Sequence, residues 1–101
     1  MNRERLDLLI ETLFDNAARE DERHDAAMYL GSFDDDKALN ALSKIASNPN
    51  EDTIVLDAAG ESIAKILVNR NDFRKDIVDK LTPVAKETAD AFIIEHKPQW
   101  K

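Results

Sequence analysis

The chain contains no cysteine, two glycines, three prolines and few aromatic residues. Without cysteine, neither a disulfide framework nor a thiolate metal site can form, and the composition is compatible with the cytosol. No apolar run is long enough to span a membrane, and the first residues lack the apolar segment of a signal peptide. We therefore expect a soluble, cytoplasmic protein with no membrane association.

Positive charge is also scarce, because 14 basic residues stand against 21 acidic ones and leave a net charge of -7. This balance disfavours direct binding of nucleic acid, which needs clustered basic side chains. An acidic surface instead suits a basic protein partner. The length of 101 residues allows one compact domain over 1–101 and leaves no room for a second.

The clearest positive signal is a segment that occurs twice, 33 positions apart. This shift superimposes residues of similar size and character: Ala26 on Ala59, Ala27 on Gly60, Leu30 on Ile63, Gly31 on Ala64, Phe33 on Ile66, Leu6 on Leu39 and Leu9 on Leu42. A fixed period in this range is typical of repeat arrays, in which each unit buries its apolar face by stacking on a neighbour. Such an architecture favours binding over catalysis.

Apolar residues spaced three and four apart predict an all-α fold of about three helix pairs. The pairs cover about 3–33, 35–68 and 72–96, and a C-terminal tail covers 97–101. Within them we predict helices over 3–18, 22–33, 37–47 and 51–68, then a short one over 73–81 and a last one that begins at Thr82 and Pro83. The last pair departs from the pattern, as a terminal cap does. Together they form a short right-handed solenoid of helical hairpins.

Small residues recur where the paired helices are expected to cross, and they allow the helix axes to approach closely. Gly60 inside a helix costs up to about 1 kcal/mol relative to alanine, so its presence indicates a close contact.

The stretches 8–14 (LLIETLF) and 23–31 (RHDAAMYLG), followed by 38–42 (ALNAL) and 52–59 (DTIVLDAA), resemble HEAT-type helical repeats. The resemblance covers about residues 5–67. Two shorter stretches, 29–33 (YLGSF) and 60–66 (GESIAKI), resemble small all-helical immunity proteins of bacterial contact-dependent growth inhibition and related polymorphic toxin systems. That resemblance implies a toxin inhibitor that binds one cognate toxin domain, often a basic nuclease, in a 1:1 complex and blocks its active site.

Candidate partner-binding residues follow from the repeat register. If Val55, Ala59 and Ile63 face the core, Asp57 and Glu61 lie on the opposite side of their helix. Their counterparts one repeat earlier are His24 and Met28, and the last helix adds further acids, so the predicted surface comprises His24, Met28, Tyr29, Asp57, Glu61, Glu87, Asp90 and Trp100. A carboxylate-rich face would steer a basic partner. The plain alternative is a solvated helix face.

Three features admit two interpretations. The acidic cluster Asp34, Asp35 and Asp36 caps the following helix, or it engages basic side chains of a partner. Tyr29 packs in the core with its hydroxyl at the edge, or it stands out as an interface anchor. Trp100 folds back over the open end of the last repeat, or it anchors a partner from a flexible tail.

Nothing in the sequence indicates catalysis. His24 and His96 are isolated, no nucleophile lies beside a base, and no glycine-rich phosphate loop is present. We expect no enzyme activity, no metal, no cofactor and no small-molecule substrate. Besides the toxin inhibitor, two alternatives remain open: a HEAT-like protein adaptor or assembly chaperone, and a small ligand-binding helical protein.

Overall fold

In the computed structural model, which describes residues 2–100 and their side chains from Arg5 onward, the chain is helical and contains no strand. Met1 and Lys101, the two ends of the expected domain and tail, lie outside these described residues. The elements are α1 (Asn2–Phe14), α2 (Glu20–Leu30), α3 (Asp36–Ala46), α4 (Thr53–Arg70), α5 (Lys75–Val78), α6 (Pro83–His96) and a terminal 3₁₀ turn (Pro98–Trp100).

Helix α4 is the centre of the molecule, because it packs against α2, α3 and α6. Helix α1 packs on α2 and also touches α3, so successive helical hairpins lie side by side. The second helices of the hairpins, α2, α4 and α6, therefore form one continuous layer. The predicted all-α fold of paired helices is confirmed, and the third pair diverges because α5 is a single turn.

The helix starts differ from the predicted ones where side chains cap the backbone. Helix α2 begins at Glu20 because the Glu22 carboxylate accepts a hydrogen bond from the Arg19 amide at 3.0 Å. Helix α4 begins at Thr53 because the Asp52 carboxylate accepts from the Ile54 amide at 3.1 Å. Sequence periodicity marks the apolar face but not these local hydrogen bonds.

Helix α1 ends at Phe14 and not at Ala18, because residues 15–18 form a turn in which the Asp15 carboxylate accepts from the Ala17 amide at 2.9 Å. Phe14 continues the apolar spacing of this helix, but at the helix end 43% of its surface is exposed. Helix α2 ends at Leu30, three residues before the predicted end. Helix α4 runs two residues beyond its predicted end and stops at a left-handed Asn71 with φ 55°.

Thr82 occupies the N-cap of α6 and is followed by Pro83, as predicted. Its side chain makes no cap hydrogen bond, and its hydroxyl is buried without a partner among the described atoms. The Thr82 amide instead donates to the carbonyl of Ala46 at 2.9 Å. This bond ties the start of α6 to the end of α3.

The core contains the residues that the 33-residue register aligns. Buried on both copies are Ala26 and Ala59, Ala27 and Gly60, Leu30 and Ile63, Gly31 and Ala64, and Leu6 and Leu39. Two pairs are asymmetric, since Leu9 and Phe33 in the first copy are only half-buried. Among the described residues, no hairpin packs on the outer side of the first one, which leaves its apolar residues less covered.

Two crossings bring helix backbones close together. A methyl group added to Gly60 would lie 2.9 Å from the backbone Cα and carbonyl carbon of Ala85, so α4 and α6 touch at that point. A methyl group added to Gly31 would lie 2.7 Å from the Ser62 hydroxyl at the crossing of α2 and α4. The predicted role of Gly60 in close packing is confirmed.

Within residues 2–100, no helix combines the length and apolar character that crossing a bilayer requires.

Candidate partner-binding surface

The candidate surface is the solvent side of α4 and α6. Asp57 and Lys65 are exposed on α4, and Glu61 between them is partly exposed. The spacing of four places all three on one side of the helix, opposite the buried Ala59 and Ile63, as the sequence predicted. The hydroxyl of Thr88 on α6 donates a hydrogen bond to the Asp57 carboxylate. Asp57 therefore joins the two helices and is not a free carboxylate.

Beside this bond lies a shallow cleft of about 250 Å³ between α4 and α6. It is lined by Glu61, Thr88, Ala91, Phe92 and Glu95. The carboxylates belong to different helices, while Ala91 and Phe92 supply apolar surface. Such a lining fits a long basic side chain, whose aliphatic stem packs on apolar atoms while its charged head reaches a carboxylate.

Four of the five cleft residues were missed by the sequence reasoning: Thr88, Ala91, Phe92 and Glu95. The repeat register offers no signal for them, because Thr88 meets Asp57 across 31 positions and the third hairpin departs from the 33-residue period. Helical spacing offers a weak signal, since Thr88, Phe92 and Glu95 recur at four and three along α6. The sequence did not indicate that this side of α6 faces Glu61.

The counterparts one helix earlier, His24 and Met28, are both partly exposed on α2. The His24 ring nitrogen Nδ1 lies 3.2 Å from the Asp25 carboxylate, and Met28 packs against the core. By the repeat register they share the solvent side of the layer with Asp57 and Glu61, but they lie on α2 and do not line the cleft.

The two acids predicted on the last helix, Glu87 and Asp90, differ in their exposure and in their partners. Glu87 is exposed. Asp90 is partly buried and pairs with Lys86 one turn away at 3.1 Å. Asp90 lies two positions from Thr88, so it faces a different side of α6 and does not contribute to the cleft.

The carboxylates of the acidic cluster at residues 34–36 have bonding partners within the protein. Asp35 caps α3 by accepting from the Lys37 amide at 2.7 Å. Asp34 and Asp36 lie 2.5 and 2.9 Å from the guanidinium of Arg70 at the end of α4. The hydrogen bond with Asp34 is the main reason that the pKa of Arg70 is raised. The cluster thus joins the start of α3 to the end of α4, and the carboxylates of Asp34 and Asp36 remain exposed.

The two aromatic candidates lie apart from the cleft. Tyr29 is 54% exposed and does not pack in the core, and the Arg5 guanidinium lies 5.8 Å from its ring centre. Trp100 is partly buried on the core and contacts Phe73, with ring centres 5.4 Å apart. The tail therefore folds back onto the last hairpin, which was the first of the two interpretations of Trp100.

A buried ion pair was also absent from the predictions. The Arg23 guanidinium donates to both carboxylate oxygens of Glu51 at 2.7 Å, and its Nε donates to the Leu13 carbonyl at 3.0 Å. Each of the two side chains is 9% exposed. The pair links the end of α1 and the start of α2 to the loop before α4. Its role is structural, since the bidentate geometry satisfies both groups.

Across the described residues, no group of three or more His, Asp or Glu side chains is arranged to hold a metal ion. Comparison with known protein families, curated proteins and solved structures finds no match to this chain.

Proposed function

We propose that this protein is an immunity protein that binds a cognate basic toxin domain, of nuclease type, and blocks its active site in a 1:1 complex. The observation that carries the proposal is the cleft between α4 and α6, where Glu61 and Glu95 flank the apolar surface of Ala91 and Phe92. A nuclease active site is lined with basic side chains that bind phosphate. One such lysine or arginine inserted into the cleft would be neutralised and unavailable to substrate.

Overall charge supports the same proposal. The net charge of -7 attracts a basic domain over several ångströms and speeds the encounter, while the cleft supplies a defined contact. The exposed Glu87 on α6 extends the negative surface. The toxin's substrate is itself a polyanion, so an acidic surface competes for the same basic site. We place the complex in the cytoplasm, where such a toxin acts.

The first experiment is a tagged pull-down from the native bacterium, or after co-expression with the neighbouring gene product, followed by mass spectrometry and size exclusion. We expect one basic toxin domain in a 1:1 complex and loss of its toxicity. Recovery of several unrelated proteins would favour an adaptor. An empty result would contradict the proposal.

The cleft is then tested with the double variant Glu61→Lys and Glu95→Lys. We expect association with the toxin domain to slow by about tenfold at low salt and the difference to shrink at high salt. The matched control is Glu11→Lys with Asp72→Lys, which changes the net charge equally at exposed positions outside the cleft. Equal effects of the two double variants would mean that overall charge, and not the cleft, determines binding.

A further inference from the structure

The N-terminal end of the array exposes a patch whose counterparts are buried one repeat later. On α1 and α2 this patch, here named the end face, comprises Arg5, Leu8, Glu22, Asp25 and Tyr29, all exposed. Shifted by 33 residues, the same positions hold Ala38, Ala41, Val55, Ala58 and Ser62, all buried. The second hairpin uses this side to pack on the first, since the Ser62 hydroxyl donates to the Ala27 carbonyl at 2.7 Å.

The end face is therefore a stacking surface that no hairpin of the described residues covers. A terminal unit that only needs solubility carries polar residues on its outer side. Leu8 and Tyr29 depart from that expectation, because they are 58% and 54% exposed. Tyr29, Ser32, Phe33 and Arg5 also line a cleft of about 330 Å³. A large aromatic and a large aliphatic side chain thus stand where the second hairpin has serine and alanine.

The charges on the end face have both signs. Arg5 has no carboxylate partner among the described side chains, and its guanidinium lies over the Tyr29 ring. The other described arginines each pair with an aspartate or glutamate: Arg19, Arg23, Arg70 and Arg74. Exposed acids, Glu22 and Asp25, lie on the same face of α2. A patch is complementary to itself when it combines a cation that has no carboxylate partner among the described side chains with nearby anions and apolar side chains.

We propose that the end face binds a second copy of this chain in a two-fold symmetric dimer whose axis runs perpendicular to α2. Arg5 lies beside Tyr29 near the C-terminal end of α2, whereas Glu22 lies in the first turn of α2, at the other end of the face. An axis in this direction makes the α2 helices of the two copies antiparallel. Arg5 of each copy then meets the Glu22 end of the other, and Leu8 and Tyr29 are covered between them.

The dimer continues the stacking that already joins the first two hairpins, and it leaves the cleft between α4 and α6 open. It is independent of the proposed function. Because a single helix pair supplies the contact and both copies are acidic, we expect weak association with a Kd above about 1 µM.

The test is sedimentation equilibrium of the full chain from about 10 µM to about 1 mM at near-physiological salt. We expect a monomer–dimer equilibrium. The variant Leu8→Ala with Tyr29→Ser introduces the residues that the second hairpin carries at these positions, and it should raise the Kd about tenfold with an unchanged helical spectrum. The control is Ile94→Ala on α6, which is equally exposed at 54% and should leave the Kd unchanged.

Pairing of charges is tested by mixing variants. Because Glu22 also caps α2, the two single variants are first shown by circular dichroism to keep the wild-type helical content. Arg5→Glu alone and Glu22→Arg alone should each weaken self-association, and an equimolar mixture should restore a dimer that contains one copy of each. A wild-type monomer at every concentration would overturn the proposal. So would a dimer that responds to Ile94→Ala and not to the end-face variant, or a mixture that fails to associate.

Discussion

Arg23 is 8% exposed, yet it carries a full charge, and its partner Glu51 explains why the fold tolerates it. Two hydrogen bonds of 2.7 Å join the groups, and a third from Arg23 reaches the Leu13 carbonyl. Removing one member of such a pair leaves the other buried without compensation, which costs more than the pair itself contributes.

We expect Arg23→Met to lower the free energy of unfolding by about 3 kcal/mol, because it leaves the Glu51 carboxylate buried without its charged partner. Urea unfolding followed by circular dichroism measures the change. The control is Arg19→Met, which breaks the exposed pair with Asp21 at 3.1 Å and should have little effect. Equal losses in the two variants would show that the Arg23 pair is not a special contact.

The same pair predicts a dependence of stability on pH. The hydrogen bond from Arg23 lowers the pKa of Glu51 below its ordinary value. The stabilisation is therefore complete above the unfolded pKa of about 4.3 and is lost as the pH falls through the lower folded pKa.

Wild type should lose unfolding free energy more steeply than Glu51→Gln between about pH 5 and pH 2. Urea unfolding at several pH values gives both curves. Parallel curves would contradict the assigned shift.

At the scale of elements, α4 packs closely against α6 and α2, and the two close contacts involve different kinds of atoms. Gly60 faces the backbone of Ala85 on α6, whereas Gly31 at the C-cap of α2 faces mainly the side chain of Ser62 on α4. A backbone atom can move only with its whole helix, but a side chain can be shortened. The two glycines are therefore not equivalent, although the sequence presents both as small residues in a helical pattern.

Gly60→Ala should destabilise the protein by about 1 to 3 kcal/mol, because overpacking outweighs the gain of up to about 1 kcal/mol in helix propensity. Adding Ala85→Gly should not restore stability, since the added methyl meets the Ala85 backbone. By contrast, Ser62→Ala should partly relieve Gly31→Ala. Thermal unfolding of the four variants measures both couplings, and rescue of Gly60→Ala by Ala85→Gly would show that the crossing has been misassigned.

At the scale of the whole molecule, α4 contacts helices of every hairpin, so the hairpins should not unfold independently. The single tryptophan, Trp100, packs at the C-terminal end against Phe73 and reports on that end alone. Circular dichroism reports on all helices.

We therefore expect the two signals to give coincident urea transitions, as in a cooperative two-state protein. An earlier fluorescence transition would mean that the last hairpin and its tail unfold first. In that case the third hairpin, which departs from the repeat pattern, would also be less stable than the first two.

The sequence by itself determined the helices, their pairing and most of the core, because apolar periodicity and the 33-residue register are local properties of a repeat. It also indicated the exposed side of α4 with Asp57 and Glu61, which follows from helical spacing alone. Tertiary structure alone decided the contacts that depend on how helices cross. These include the bond from Thr88 to Asp57, the pairing of Arg23 with Glu51, and the use of Asp34 by Arg70. Each joins residues 28 to 36 positions apart, and no sequence period specifies the rotation of one helix against another.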